Sequence, residues 1–279
     1  MFTHSRLTPV LILILCLSSY LSAQTPAPQK SVDNEYQTAA VLWTQSSAEY
    51  RALSYQAFAL AKLRLDQTLA GSKSRRGKKP FAVVVDVDET VLDNSRFQAE
   101  LILRGASYTS ESWLAWCERA EAGAVPGAVD FLNYAAHRGV HVFYITNRRQ
   151  AEKAGTMANL KATGFPNVDD ESVIIRPQGA SGSKESRREQ VRSRYQIALL
   201  VGDNLNDYSD DFSGKSVADR KAEVDKQRAK FGSTYIVIPN PMYGDWENIL
   251  YPAKPGLTDA DKKQSRHDVL RGVTTQPPN

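Results

Sequence analysis

Cysteine is nearly absent: Cys16 and Cys117 are the two in 279 residues. Cys16 falls in a leader expected to be removed, which leaves Cys117 alone and excludes both an intramolecular disulfide framework and a Cys-rich zinc site. The core must therefore hold by packing. An excess of one charge is lacking too, since 35 Lys and Arg stand against 31 Asp and Glu, a net of +4 spread along the chain. That excludes the clustered basic stripe of a protein that binds nucleic acid polymers. No internal repeat is visible. What is present, 42% hydrophobic and 24% charged residues, suffices for a packed core in one or two domains and is neither disordered nor collagen-like.

Long apolar runs are also missing, with one exception at the start. MFTHSR carries Arg6 and His4, and the uncharged run LTPVLILILCLSSYLSA ends in the small residues Ser22 and Ala23. This is the layout of a secretory signal over residues 1–23, cleaved after Ala23. The alternative is an uncleaved anchor, because a run of 17 residues lies at the lower edge of what spans a bilayer. Lipidation of Cys16 is disfavoured, since Leu15 is too large for the small residue expected there and the cysteine lies inside the apolar run. The expected mature form is periplasmic or secreted, without stable membrane insertion, rather than lipid-anchored in the outer membrane.

Residues 24–32 are Pro-rich and polar, a tether. From 33 to 70, apolar and aromatic residues recur at helical spacing without Pro or Gly, predicting one long helix or two that pack with a cap. GSKSRRGKKP (71–80) reads as a solvated basic loop. Five short apolar runs follow: FAVVVD (81–86), VHVFYIT (140–146), SVII (172–175), IALLVG (197–202) and TYIVIP (234–239). Helical patterns such as AVDFLNYAAHRG and RRQAEKAGTMANLKATG separate them, so residues 78–252 are expected to form an α/β domain with a Rossmann-like, mostly parallel sheet. Residues 95–125 carry no strand signal and interrupt the alternation, predicting a small helical cap. Residues 253–279 are polar and Pro-rich and are expected to be loosely ordered.

In such sheets chemistry sits just beyond the carboxyl ends of the strands. There the first strand is followed by Asp86 and Asp88, the second by Thr146 and the fourth by Asp203 and Asp207. Each piece alone is weak: GDNLND could be a surface turn, although not a calcium loop, because Leu205 sits where such loops carry Asp or Asn. Lys184 alone would be an ordinary solvated lysine. Their joint placement after hydrophobic strands points to one pocket. Four carboxylates converging there would repel strongly, and a hard divalent cation relieves this. Oxygen-only ligands favour Mg²⁺ over Zn²⁺.

DVDET, ITNR, the lysine of SGSKESRR and VGDNLND resemble the four motifs of the haloacid dehalogenase-like superfamily. The wider context from about Ala40 to Trp246, including AVPGAVDFLNY and IPNPMYGDWE, is similar to the class C bacterial acid phosphatases, the group that includes outer-membrane lipoprotein 5′-nucleotidases. The resemblance implies Asp86 as nucleophile, Asp88 as general acid and then base, Thr146 as a hydrogen-bond donor to the transferring phosphoryl group, and Lys184 as its neutralising cation. It implies Mg²⁺ held by Asp86, the backbone carbonyl of Asp88 and Asp203, with Asp207 in support; spacing alone does not separate Asp203 from Asp207. It further implies substrate contacts from Trp113, Tyr243 and Asn147, the two rings gripping a nucleoside.

The function these features imply is that of an exported Mg²⁺-dependent acid phosphatase acting on 5′-nucleotides, nicotinamide mononucleotide or similar phosphomonoesters. Two alternatives are a phosphatase for sugar phosphates or phosphoproteins and a non-catalytic envelope protein that captures phosphorylated ligands. A homodimer is left open.

Overall fold

The computed structural model describes Met1 and residues 34–71 and 79–275, with side chains to Gly272. Apart from Met1, the expected signal (1–23), the tether (24–32) and residues 72–78 of the basic loop lie outside the described residues. After a 3₁₀ turn at Glu35–Gln37 come helices α1 (Thr38–Ser46) and α2 (Ala48–Ala70). Two helices form rather than one because Ser47 leaves the helical region (ψ 137°) and its side chain accepts from the Tyr50 amide, starting α2 afresh.

Strand β1 (Phe81–Val85) follows, then β2 (Leu92–Asp93), α3 (Ser95–Leu103), α4 (Ser110–Arg119) and β3 (Gly123–Ala124). Next are α5 (Ala128–His137), β4 (His141–Ile145), α6 (Lys153–Ala162), β5 (Val173–Ile174), α7 (Glu185–Arg194) and β6 (Gln196–Gly202). The chain continues through α8 (Val217–Lys226), β7 (Tyr235–Val237), α9 (Asp245–Asn248) and α10 (Asp259–Thr275). Five strands form one sheet in the order β5-β4-β1-β6-β7, every neighbouring pair parallel. Each arises from one of the five apolar runs.

Strand β1 is central and wholly buried, which is why it reads as an unbroken β-branched run. Side chains alternate across it: Phe81, Val83 and Val85 face the larger core with Phe58 and Leu65 of α2 and Phe131 and Leu132 of α5. Ala82 and Val84 face the smaller core with Val191 of α7 and Tyr208. Burying each valine contributes roughly 1.5–3 kcal/mol. Central placement of β1 also carries Asp86 to the middle of the sheet's carboxyl edge.

The cap is α3 and α4, entered and left through the antiparallel pair β2-β3, which its composition did not announce. Thr109 and Ser112 form a reciprocal capping box that starts α4. Helix α4 lies against α6, where Gly155 faces the backbone of Cys117; a Cβ there would fall 2.7 Å from the Cys117 carbonyl carbon. Helix α1 packs on α3, whereas α2 packs on α5, β6 and β7. The N-terminal segment thus touches the cap through one helix and covers the sheet with the other.

The tail differs from expectation. Residues 259–275 form a helix, α10, whose sequence lacks a clean apolar stripe because aromatic and charged partners hold it instead: the Arg266 guanidinium lies 3.7 Å from the centre of the Tyr36 ring and donates to the Tyr251 hydroxyl at 3.1 Å. Among the described residues no helix is long and apolar enough to cross a membrane.

Candidate active site

Asp86 ends β1, its amide still in the sheet through a 3.0 Å bond to the Val201 carbonyl. Beyond it the chain turns sharply at Glu89 (φ 59°), whose amide donates to the Leu92 carbonyl at 2.8 Å. Residues two apart share a face on a strand, and the turn keeps Asp88 beside Asp86 in the same cleft. Thr146 ends β4, Lys184 caps α7, Asp203 follows β6, and Asp207 closes a 3₁₀ turn after it. All but Thr146 line a single cleft of about 700 Å³, and Thr146 reaches it through Asp88.

Carboxylate oxygens of Asp86, Asp203 and Asp207 lie within 4.8 Å of one another. Lys184 Nζ bridges two of them, donating to Asp86 and, at 2.6 Å, to Asp207. The cluster still carries two net negative charges, the deficit one divalent cation fills, and every donor is a hard oxygen. The triad fits a metal ion on charge and chemistry. Burial pushes the Asp86 carboxyl up to about 7, opposed by Lys184 and reinforced by Asp207 and Asp88. Burial and the charges of Asp207 and Asp86 likewise raise Asp203 well above the usual carboxylate range. Burial acts to lower Lys184, but Asp207 and Asp86 overcome it and hold the ammonium charged.

Each acid is aimed by neighbours. Asp203 accepts from Thr90 Oγ1 at 3.1 Å and from Asn240 Nδ2 at 2.8 Å. Asp207 accepts from the Asn204 amide at 3.0 Å, and it fits only because residue 202 has no side chain: a Cβ on Gly202 would lie 2.6 Å from Asp207 Cβ. Asp88 is held by Arg148, with Nη2 at 2.7 Å and Nε at 3.0 Å from Oδ1, and by Asn94 Nδ2 at 3.0 Å. Thr146 Oγ1 donates to Asp88 at 3.4 Å and accepts from the Arg148 amide at 3.1 Å.

The three expected substrate contacts are placed differently from one another. Tyr243 lines the cleft, its hydroxyl donating to buried Glu89. Trp113 lines it too but is 8% exposed, packed against Phe97 with Arg148 over its ring at 5.1 Å. Tyr108, 56% exposed in the same cleft, is the freer ring and was not singled out from sequence. Asn147 spends its amide on the protein, donating to the Gly182 carbonyl at 2.9 Å and accepting from Arg187 at 2.6 Å. It fixes the loop that presents Lys184. Also missed were Arg148 and Asn94; adjacency to Thr146 was the available signal for the arginine, and none marked the asparagine.

A parallel sheet whose carboxyl edge gathers two aspartates from the first strand, a threonine, a lysine and a further acidic pair defines the haloacid dehalogenase class of fold. Residues 7–246 match the family described as HAD superfamily, subfamily IIIB (acid phosphatase), and the chain belongs to that family. It is similar to the structure of the class C acid phosphatase from Bacillus anthracis, with 42% identity and a TM-score of 0.78 over 84% of this chain and 95% of that one. The same enzyme with tungstate bound matches at 40% identity and a TM-score of 0.77, over the same shares. Among curated proteins, a class B acid phosphatase of Marinomonas sp. (strain MWYL1) is 30% identical over 62% of this chain and 73% of that protein. A stem 31 kDa glycoprotein of Glycine max is 23% identical over 57% and 58%. The chain spans about half the length of the stem glycoproteins it matches.

Proposed function

We propose that the chain is an exported Mg²⁺-dependent phosphomonoesterase that works through an aspartyl-phosphate on Asp86. The observation that carries this reading is the Asp86–Lys184–Asp207 chain of charged contacts beside Asp203, on a fold shared with a class C acid phosphatase. That relative has also been solved with tungstate bound, and tungstate is a tetrahedral oxyanion similar in charge and shape to phosphate.

An Asp86 oxygen attacks phosphorus as the bond from phosphorus to the leaving oxygen breaks. Asp88 gives its proton to that oxygen, so the alcohol departs neutral. Water then attacks the phosphoryl group, Asp88 takes the water's proton, and the bond from phosphorus to Asp86 breaks, releasing phosphate and restoring both carboxyls. Lys184 and Thr146 offset the charge on the transferring oxygens. Asp86, the Asp88 carbonyl, Asp203 and Asp207 would hold Mg²⁺, which supplies neutralisation of phosphoryl charge.

The cleft's rings suit a nucleoside leaving group, and stacking on an aromatic face contributes about 1–3 kcal/mol whatever the base. Tyr108 is the exposed candidate and Tyr243 a half-buried one, with Trp113 beneath. Export rests on the N-terminal leader, and mass spectrometry of the mature N-terminus checks cleavage after Ala23.

The test is phosphate release by residues 24–279 from AMP, nicotinamide mononucleotide, glucose 6-phosphate and an aryl phosphate, with EDTA and then excess Mg²⁺. Hydrolysis lost with EDTA, restored by Mg²⁺ and strongest for nucleotides is expected. Asp86→Asn should abolish turnover with the circular dichroism spectrum intact. No turnover by a folded wild-type protein would favour capture of phosphorylated ligands instead.

A further inference from the structure

Helix α10 lies beyond residue 246, where the family match ends, yet it forms part of the wall of the catalytic cleft: Asp259, Lys262 and Arg266 line it together with Asp86, Asp88 and Lys184. The helix is seated by a compact polar latch. Glu247, buried at 7% exposure, accepts on one oxygen from both Tyr36 (2.7 Å) and Tyr251 (2.5 Å). Arg266 then covers the Tyr36 ring and donates to Tyr251. Three separate segments, the turn before α1, the end of α9 and α10, are thereby joined at the cleft.

The latch leaves one cation uncommitted. Lys262 is half-buried, lines the cleft, and among the described residues its ammonium has no ion pair, its contact being the Tyr251 ring at 5.8 Å. Arg176, just beyond β5, is a second half-buried cleft residue without a side-chain ion pair among the described residues. By contrast, other rim charges are engaged: Arg149 with Glu152, and Asp245 with Asn206. The phosphoryl group being transferred already has Lys184, so these two cations serve a different part of the substrate.

We propose that α10 is a selectivity wall, and that Lys262 binds a second anionic group on the leaving group, so that phosphomonoesters with a further negative charge, such as nucleoside bisphosphates, are preferred. The inference rests on the phosphatase reading above and adds the substrate class. A charge-assisted contact of this kind is worth roughly tenfold in affinity.

The experiment compares kcat/KM for 5′-dephosphorylation of adenosine 3′,5′-bisphosphate and of AMP, following the adenosine 3′-phosphate or adenosine formed, with an aryl phosphate as reference. Wild type should favour the bisphosphate about tenfold, chiefly through KM. Lys262→Gln should bring the ratio near one and Lys262→Arg should restore it. A ratio near one in wild type, or one that Lys262→Gln leaves unchanged, overturns the proposal. Failure to hydrolyse the aryl phosphate with Mg²⁺ present would instead overturn the phosphatase reading. Calorimetric titration of adenosine 3′-phosphate against adenosine reads the Lys262 contact without turnover: a preference for the phosphate that Lys262→Gln removes supports it, and equal binding rejects it.

Discussion

Arg148 holds Asp88 in a fork, with Nη2 2.7 Å and Nε 3.0 Å from the same carboxylate oxygen, while the guanidinium lies over the Trp113 ring, 5.1 Å from its centre. In the proposed mechanism, a group that grips the Asp88 carboxylate so closely would govern where Asp88 can deliver a proton. Lysine keeps the charge but cannot reproduce a planar fork or the stacking. Arg148→Lys is expected to lower kcat by about 10²-fold or more, the scale of general acid catalysis, with a smaller change in KM. Steady-state kinetics on a nucleotide checks this, and equal losses in kcat and 1/KM would assign Arg148 to substrate binding instead.

The uncompensated charge of Asp86, Asp203 and Asp207 predicts a stabilising effect of metal that is independent of catalysis. At a Mg²⁺ concentration 100 times Kd the folded state gains about 2.7 kcal/mol. For a domain of this size that corresponds to a rise in Tm of roughly 5–10 °C over the EDTA-treated protein. Asp203→Asn should remove most of the rise. Differential scanning fluorimetry with and without EDTA measures it.

Gly202→Ala places a methyl group against Asp207, 2.6 Å from its Cβ. The side chain must then leave its seat on the Asn204 amide and Lys184. A stability loss of about 1–3 kcal/mol is expected from the crowding. Weakened Mg²⁺ binding should accompany it, read by urea denaturation and metal titration.

The latch at Glu247 predicts local rather than global weakening. Glu247→Ala leaves two tyrosine hydroxyls without their shared acceptor, at a cost of about 1–3 kcal/mol. Because that cost falls on the docking of α10, proteolysis within residues 252–258 should quicken severalfold while the unfolding midpoint of the sheet changes little. Limited proteolysis followed by mass mapping distinguishes this from general destabilisation.

His141 predicts a dependence on pH. Burial against Phe143 and Tyr195 lowers its pKa from the ordinary 6.5; Asp169 and Glu171 oppose the shift and Arg194 adds to it. Above pH 6.5 the ring is neutral in both folded and unfolded chains and the effect is fully favourable. As pH falls the unfolded chain takes the proton first, so stability declines until the folded pKa is passed. His141→Gln, which keeps a polar group near Ser172, should flatten that decline. Urea midpoints measured between pH 5 and 7.5 test it.

The parts of this molecule that could be read in advance are those whose cause is local. Five buried strands announce themselves as β-branched runs, and the acids directly after β1 and β6 mark the catalytic edge. Helix α10 escaped because DADKKQSRHDVLRGVTT has no apolar stripe; its stability comes from Tyr36, more than 200 positions away. Arg148 escaped for the same reason, since its partner Asp88 lies 60 positions away, in the turn beyond another strand. Asn147, implied as a substrate contact by the resemblance, does line the cleft, and its amide is engaged by Gly182 and Arg187, which become neighbours only in the folded chain.

At Gly155 the cap and the core meet backbone to backbone, and that contact bears on how ligand affinity arises. A cap that swings open must be closed by its ligand, and the measured affinity is then the intrinsic one scaled by the fraction of molecules already closed. Helices α4 and α6 meet at Gly155 with no side chain on that residue to hold them apart, a close contact that any opening of the cap would have to break. A cap held at that contact would add no closure cost to ligand affinity, and selectivity would then fall to the walls of the cleft.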